Sequence, residues 1–483
     1  FGSSNFGSSV LKPGSAPMEF KRVLTPREIC EATDEGVWKA EFGVDKETVY
    51  SRVSALSVGT TKVPHPEDAT SFASEAELDL IGKLRDVFAE TFALRKAAGT
   101  DFPEFFGDIF LTRILRGVQG NFESMCYWFG SMVLAFKEKN YDPIVKANKA
   151  LYAKVLAEGR DVQCSDMPHY ELVSKYHQSI YTLKKRSADG SLINYQPQHP
   201  QSCNDKKGIL ENCYKEFVEY FDHAYIMTMT ELDDISRKEG RLVKKSIIID
   251  AYACRSWGDI FNKAFDEQRQ EDLGQYEART MAEIFGMLFV TNVPWIVEKV
   301  LTVALKGACK LKIIPERTLD RVVILSTDGT SDPKLIKYVG AAQLMECYTW
   351  RPKVAEGDTG DEMSGVTDIP AKRDFEKTLG ISPGTHVSWK FSVQEGNAVL
   401  GKDVDILFSV TAVLDPIDSG TLDFEMQQVV EETGIKFSDG ETSGEFTATR
   451  EGMLRIAWSN AHSTLRPKTV KFEVNQEEKA DQL

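Results

Sequence analysis

The residues best suited to chemistry in this 483-residue sequence lie close to its middle. Arg321 offers a planar guanidinium that matches a phosphate group through two parallel hydrogen bonds, and Thr318 adds a hydroxyl donor. The same arginine is equally suited to an ordinary ion pair with Asp320 or Glu316, as surface arginines usually are. Glu283 is interpreted either as an acid at a hinge or as a charge at a helix end. The sequence thus leaves two readings of Arg321 open: a phosphate ligand or an ion-paired strand-end residue.

Signatures of catalysis and of metal binding are absent from the sequence. None of the eight cysteines and seven histidines falls in a Cys-x-x-Cys or His-x-x-x-His pattern. Cys164 lies near His169 and His177, but no signature of a cysteine nucleophile surrounds it. There is no glycine-rich phosphate loop, and the carboxylates at 231–234 are typical of a solvated helix end. We therefore expect a protein that is not an enzyme and has neither a metal nor a cofactor.

A strand–helix–strand segment must position these residues. The apolar run Met287 to Val293 predicts a strand covered on both faces, and Pro294 suits the first turn of a helix. From Trp295 onward the apolar residues recur at helical spacing. These helical positions are Ile296, Val300, Val303, Ala304 and Leu311. After Pro315 ends the helix, residues 321–325 predict a second buried strand, so the simplest interpretation is an ordinary βαβ crossover.

Composition and periodicity divide the chain into five parts. Ser74 and Glu77 form a capping box that opens a series of amphipathic helices. Farther on, buried strands alternate with long helices, which predicts a mostly parallel sheet, and the last hundred residues show short alternating runs typical of a β-sandwich. The predicted parts are a flexible tail and N-terminal extension at 1–73, a helical bundle at 74–160, an α/β unit at 165–350, an acidic linker at 351–377 and an all-β sandwich at 378–476.

Several motifs occur in the order found in a known family. Asn292-x-Pro294 ends a strand, Thr318-Leu319-Asp320-Arg321 enters the next one, and Leu111 to Arg116 precedes Asn121 in the helical bundle. In these respects the chain resembles the CRAL-TRIO lipid-binding and lipid-transfer proteins. The runs Val387 to Phe391 and Trp458 to Ser463 are similar to a GOLD domain. The order of the two parts is patellin-like.

The resemblance implies a function and a set of residues. It implies a lipid held in a cavity under a gate helix, and transfer or sensing of that lipid, such as phosphatidylinositol or an isoprenoid, at membranes. The implied head-group residues are Thr318, Arg321, Arg116 and Glu283. The implied gate and cavity residues are Trp295, Ile296, Val300, Val303 and Phe289. The alternative is an adaptor whose cavity is degenerate and which acts through protein contacts of the GOLD domain and the N-terminal extension.

The net charge and the distribution of cysteines indicate which classes of partner and which cellular compartment to expect. The net charge of −15 argues against nucleic-acid binding, and no segment is apolar for the length of a membrane span. Cysteines that are scattered singly favour a reducing compartment. We therefore expect a cytoplasmic protein that meets membrane surfaces transiently, with a bound lipid as its ligand. Because the sequence begins at Phe1, a removed organelle-targeting segment stays open as an alternative.

Overall fold

Contacts divide the chain into two units, residues 1–182 with 190–326 and residues 183–189 with 327–483. Each unit is considered by itself. The computed structural model describes residues 24–58, 60, 72–177, 181–198, 204–252, 254, 262–293, 298, 301–303, 305–306, 319–351, 363–369, 374–394, 405–415, 425–460, 462–463 and 467–477.

Side-chain caps set where the helices of the first unit begin. Thr25 and Ser74 each form a reciprocal capping box, with Glu28 and Glu77 respectively. The predicted start at Ser74 is confirmed. The helices are α1 (Pro26–Ala32), α2 (Glu35–Phe42), α3 (Lys46–Ser57), α4 (Glu75–Val87), α5 (Ala89–Ala97), α6 (Pro103–Phe106), α7 (Asp108–Gly117), α8 (Phe122–Lys139) and α9 (Tyr141–Ala157).

The helices α1 to α3 belong to the helical core. Cys30, Trp38, Phe42, Val49 and Val53 are almost fully buried in one apolar cluster together with residues of α4, α7 and α8. The expectation that residues 1–73 form a tail and an extension is therefore wrong for the span of these three helices. Their short length and mixed polarity weaken the helical periodicity on which the expectation rested.

A five-stranded mixed sheet follows the helical core in the first unit. Its strand order is β1-β2-β3-β4-β5, in which β1 pairs antiparallel with β2 and the remaining pairs are parallel. The strands are β1 (Tyr181–Thr182), β2 (Leu192–Pro197), β3 (Lys245–Asp250), β4 (Phe285–Thr291) and β5 (Val322–Ile324). The helices around them are α10 (Tyr170–Val173), α11 (Lys206–Asn212), α12 (Tyr214–Glu239), α13 (Lys263–Arg269), a π-helical turn (Gln270–Gly274) and α14 (Gln275–Thr280).

The connections of this sheet all step in the same direction. Parallel crossovers are almost always right-handed, so connections that advance from β2 to β5 in order should lie on one face of the sheet. Lys245 of β3 donates from Nζ to Thr228 Oγ1 of α12 at 3.2 Å. Leu305, in the connection from β4 to β5, packs against Val322 and Ile324. Both contacts involve the same face, which we call the inner face.

The second unit is a β-sandwich with two helices, α15 (Pro333–Val339) and α16 (Ala341–Tyr348). Its antiparallel sheets have the orders β10-β9-β12-β7 and β11-β8-β13-β6. Trp458 is fully buried between Phe391, Phe408 and Phe472, which join the two sheets in one core. The strands are β6 (Ser364–Ile369), β7 (Asp374–Ile381), β8 (His386–Val393), β9 (Asp405–Leu414), β10 (Glu425–Lys436), β11 (Glu441–Thr447), β12 (Gly452–Ser459) and β13 (Lys468–Glu477).

Two predicted boundaries differ from the structure. Strand β6 and the start of β7 lie inside the stretch that was predicted as a linker at 351–377, and β6 pairs with β13. The helices α15 and α16 belong to the second unit rather than to the α/β unit. Strand β6 has only two large apolar residues, Val366 and Ile369, so its sequence gives a weak strand signal among the surrounding Asp, Glu and Gly.

Candidate binding site

The inner face of the five-stranded sheet is apolar but not fully buried. Register and alternation place six aliphatic side chains on it, two from each of β3, β4 and β5. They are Ile247, Ile249, Leu288, Val290, Val322 and Ile324, and each is partly exposed. Parallel sheets are normally covered on both faces by their crossovers. An aliphatic face that stays partly exposed beneath its own crossovers is therefore a surface that an apolar ligand could cover.

The opposite face of the sheet, which we call the outer face, is fully buried at its central positions. Tyr195 of β2, Ile248 of β3 and Phe289 of β4 share this face, and all three are fully buried. Phe289 was predicted as a cavity residue, but it points away from the inner face. Its neighbours Leu288 and Val290 occupy the inner face instead, because successive side chains of a strand alternate between faces.

A helix crosses the inner face between β4 and β5, and we call it the crossover helix. Its described residues are Glu298, 301–303 and 305–306. Leu301 belongs to the same apolar cluster as Val290 and Ile324, and Leu305 is buried against Val322. Val303, predicted as a gate or cavity residue, is 68% exposed and so does not lie on the buried side of the helix. The predicted residues Trp295, Ile296, Val300 and Thr318 lie outside the described residues.

An ion cluster around Glu283 stands at the start of β4. Its carboxylate Oε2 accepts from Lys244 Nζ at 3.0 Å and from Arg321 Nη1 at 3.1 Å, and its backbone oxygen accepts from Arg113 Nη1 at 3.1 Å. The backbone of Glu283 is left-handed, with φ of 47°, which costs a non-glycine residue about 1–2 kcal/mol. The contacts of the three cations compensate for that strain. Arg321 is thus paired with Glu283, an acid that the sequence did not suggest as its partner. The predicted Glu316 lies outside the described residues.

Burial lowers the pKa values of two cations in this cluster, Arg113 and Lys244. Desolvation lowers the pKa of Arg113 to about 10, against the raising effects of Asp233 and Glu283. Arg113 also donates to Ser236 Oγ and to the backbone oxygen of Val243, which satisfies its guanidinium. Desolvation likewise lowers the pKa of Lys244, while Glu283 opposes that shift. The carboxylate of Glu283 therefore binds two cations at once and partly neutralises Arg321.

Arg116, a predicted head-group residue, has a structural partner instead. Its Nε and Nη2 donate to the two carboxylate oxygens of Glu77 at 2.7 and 2.9 Å, and both side chains are buried. The fork of this guanidinium is occupied inside the helical core, between α4 and α7. We therefore withdraw Arg116 as a ligand for a lipid head group.

A second polar network joins the carboxyl ends of the central strands. Asp250 at the end of β3 is fully buried and accepts from Tyr195 Oη at 2.6 Å and from Asn292 Nδ2 at 2.6 Å. Asn292 is left-handed, with φ of 57°, a conformation that asparagine tolerates better than most residues. The Asn-x-Pro motif therefore has a local role in ending β4: its asparagine side chain ties the turn to the neighbouring strand.

Residues that could ligate a metal ion are not grouped within the described ranges. No group of three or more His, Cys, Asp or Glu side chains is arranged to hold a metal ion in that part of the chain. No helix among the described residues is both long and apolar enough to cross a bilayer.

The sequence did not predict two features of this site, the inner face itself and Lys244. Positions 247 and 249 alternate with the buried Ile248, but all three are isoleucine, so the sequence does not show which of them lie on the inner face.

Comparisons with known proteins identify no family for this chain. No family model and no curated protein matches the sequence. Among solved structures, Sfh5 is 12% identical, covering 55% of this chain and 83% of its own with a TM-score of 0.34. Tripeptidyl peptidase 2 is 14% identical over 26% of this chain and 10% of its own, with a TM-score of 0.17. The propeptide form of the Bacillus licheniformis lipase BlEst2 is 8% identical over 62% and 77%, with a TM-score of 0.14. At these TM-scores, nothing about the function of this protein follows from the similarities.

Proposed function

We propose that this protein binds one lipid molecule between the inner face and the crossover helix, and that it carries or senses this lipid at membranes without catalysing a reaction. The observation that carries the proposal is the partly exposed aliphatic inner face beneath the crossovers. A soluble ligand would need polar groups along such a surface. An acyl or isoprenoid chain needs only apolar contact, worth about 0.8 kcal/mol for each buried methylene group.

The crossover helix supplies a route for the lipid. Leu301 and Leu305 contact the sheet side, while Val303 is exposed on the same helix. In this proposal the helix leaves the sheet at a bilayer, because lipid then covers the apolar side chains that water would otherwise meet. We propose that the helix opens only at a membrane, so that the chain of the lipid is never exposed to water.

Head-group recognition in this proposal is weak for inositol phosphates. Arg321 is already paired with Glu283, and Arg116 is occupied by Glu77. Phosphatidylinositol is therefore one ligand among several rather than the selected one. For the second unit, whose sequence motifs are similar to a GOLD domain, we propose docking to a membrane or to a protein partner in trafficking.

Mass spectrometry of the purified full chain tests this function. We expect one lipid per chain in native spectra and the same lipid in organic extracts. Ile249→Trp and Leu288→Trp place a bulky ring on the inner face and should lower lipid occupancy strongly. The matched control is Val58→Trp, because Val58 is 83% exposed at the end of α3.

Three results would contradict the proposal in different ways. A protein that is always empty and takes up no lipid from liposomes would favour the adaptor alternative. Turnover of a bound ester would indicate an enzyme. Equal occupancy in Ile249→Trp and Val58→Trp, with thermal unfolding unchanged in both, would show that the lipid binds elsewhere.

A further inference from the structure

A buried polar residue, Asn194, lies on the inner face. Asn194 of β2 is in register with Ile247 of β3, and residues in register on neighbouring parallel strands point to the same face. Its side chain therefore shares the face of Ile247, Ile249 and Leu288. Whereas these aliphatic residues are partly exposed, Asn194 is 5% exposed. A short amide is thus held at the base of the surface that we assign to the lipid.

The carboxamide oxygen of Asn194 lacks a partner. Its Oδ1 is buried and accepts no hydrogen bond from any residue that the structure describes. Buried polar atoms in native proteins are nearly always paired, and an oxygen left in this state costs about 1–3 kcal/mol. The carbonyl oxygen of an amide can be satisfied only by a donor. A ligand that brings an O–H or N–H group to this position would recover that free energy.

The surroundings select the kind of donor. Besides the aliphatic Ile247, the inner-face neighbours of Asn194 are the uncharged Thr182 and Gln196. The described inner-face positions of β1 to β5 carry the cation Lys245 and no carboxylate, so a cationic donor at this depth would lose its hydration without gaining a counter-ion. A phosphocholine head group has no O–H or N–H to donate. A neutral hydroxyl group on an otherwise apolar molecule fits both conditions.

We infer that Asn194 accepts a hydrogen bond from the ligand, and that the protein selects a neutral lipid with a free hydroxyl group over one without a donor. The inference rests on the proposed lipid site and adds the chemical class of its ligand. Because Oδ1 is covered in this conformation, entry of the hydroxyl group moves the side chains that cover it. The hydroxyl end then lies against β2, and the apolar remainder lies along β3, β4 and β5.

A matched pair of ligands tests the inference on the full chain. Hexadecan-1-ol and methyl hexadecyl ether have the same alkyl chain, but only the alcohol donates a hydrogen bond. Each competes with a pyrene-labelled alkane for the protein. We expect the alcohol to bind about tenfold more tightly than the ether, the size of one recovered hydrogen bond to a buried acceptor. Asn194→Leu should abolish that preference while the ether binds as before.

Gln196→Leu is the control variant, because Gln196 lies on the same face of β2 but is partly exposed. It should keep the preference for the alcohol. Equal binding of the alcohol and the ether by the unmodified protein overturns the inference about the hydroxyl group but leaves the proposed lipid site unaffected. Failure of both ligands and of the pyrene probe to bind, with no lipid in native spectra, overturns the lipid site itself. If Asn194→Leu does not fold, the comparison of the two ligands on the unmodified protein still tests the preference for a hydroxyl group.

Discussion

Replacing Arg116 by methionine should destabilise the helical core far more than removing an exposed arginine of similar chemistry. Arg116 and Glu77 have side chains that are 5% and 2% exposed and are joined by two charged hydrogen bonds. Removing one member leaves the other charge buried without its partner, which typically costs 3–5 kcal/mol, so we expect about that loss. The control is Arg27→Met, because the pair Arg27–Glu31 is 58% and 48% exposed and should contribute less than about 1 kcal/mol.

Urea unfolding followed by circular dichroism at 222 nm measures the difference. For a unit of this size, a loss of 3–5 kcal/mol should move the helical midpoint by about 1 to 2 M. The double variant Glu77→Leu/Arg116→Met should recover much of that loss, because neither charge remains buried. Similar midpoints for Arg116→Met and Arg27→Met would refute this account of the pair.

The pH dependence of stability gives an independent check. Burial acts to raise the pKa of Glu77, but hydrogen bonds from Arg116 and from Ser74 outweigh burial, so the pKa is lowered in the folded protein. A carboxyl group with a lowered pKa stabilises the fold above its unfolded pKa, and that contribution is lost as the pH falls through the folded pKa. The stability gap between the unmodified protein and Arg116→Met should therefore narrow in acid. A gap that is independent of pH would contradict the assignment.

Two further predictions concern the exposed helix side and the sandwich. Val303→Asp should leave thermal unfolding unchanged but slow lipid uptake from liposomes. The control Val366→Asp, at a valine of similar exposure in the second unit, should change neither property. Equal uptake by the two variants would exclude a membrane role for Val303. Gly452→Ala should lower the unfolding temperature of the sandwich, because a Cβ atom there would come within 2.9 Å of backbone atoms of β9. Gly434→Ala, whose added Cβ would meet only ordinary contact at 3.9 Å, should have little effect, and an equal loss for both would refute the steric argument.

The sequence predicts elements well where local signals set them. The capping box at Ser74 marks the start of α4, and the apolar runs around Ile248 and Phe289 mark β3 and β4. The direction of each side chain was harder to predict. In a strand that is apolar at every position, alternation gives no sign of which residues meet the crossovers, so Phe289 was placed on the wrong face.

Charge partners were the least predictable part of the site. The acids considered for Arg321 were near in sequence, but its partner Glu283 is 38 residues away, at the start of the neighbouring strand. Likewise, Arg116 and Glu77 meet only because α4 packs against α7. Such pairs depend on how elements pack, and a single sequence carries no direct signal of packing. Val303 was misplaced for a related reason, since a helix with apolar residues on two sides has no unique buried face.

The order of strands in the mixed sheet implies a gradient of local stability. Strand β3 pairs with β2 on one side and β4 on the other, whereas β5 is a short strand at the edge of the described sheet and pairs with β4. Backbone amides at such an edge exchange with solvent after small openings, while those of β3 require unfolding of the unit. Strand β5 can therefore open locally while the rest of the sheet keeps its hydrogen bonds. If the proposed lipid site is correct, this gradient would let a lipid enter and leave near β5 while β3 stays folded.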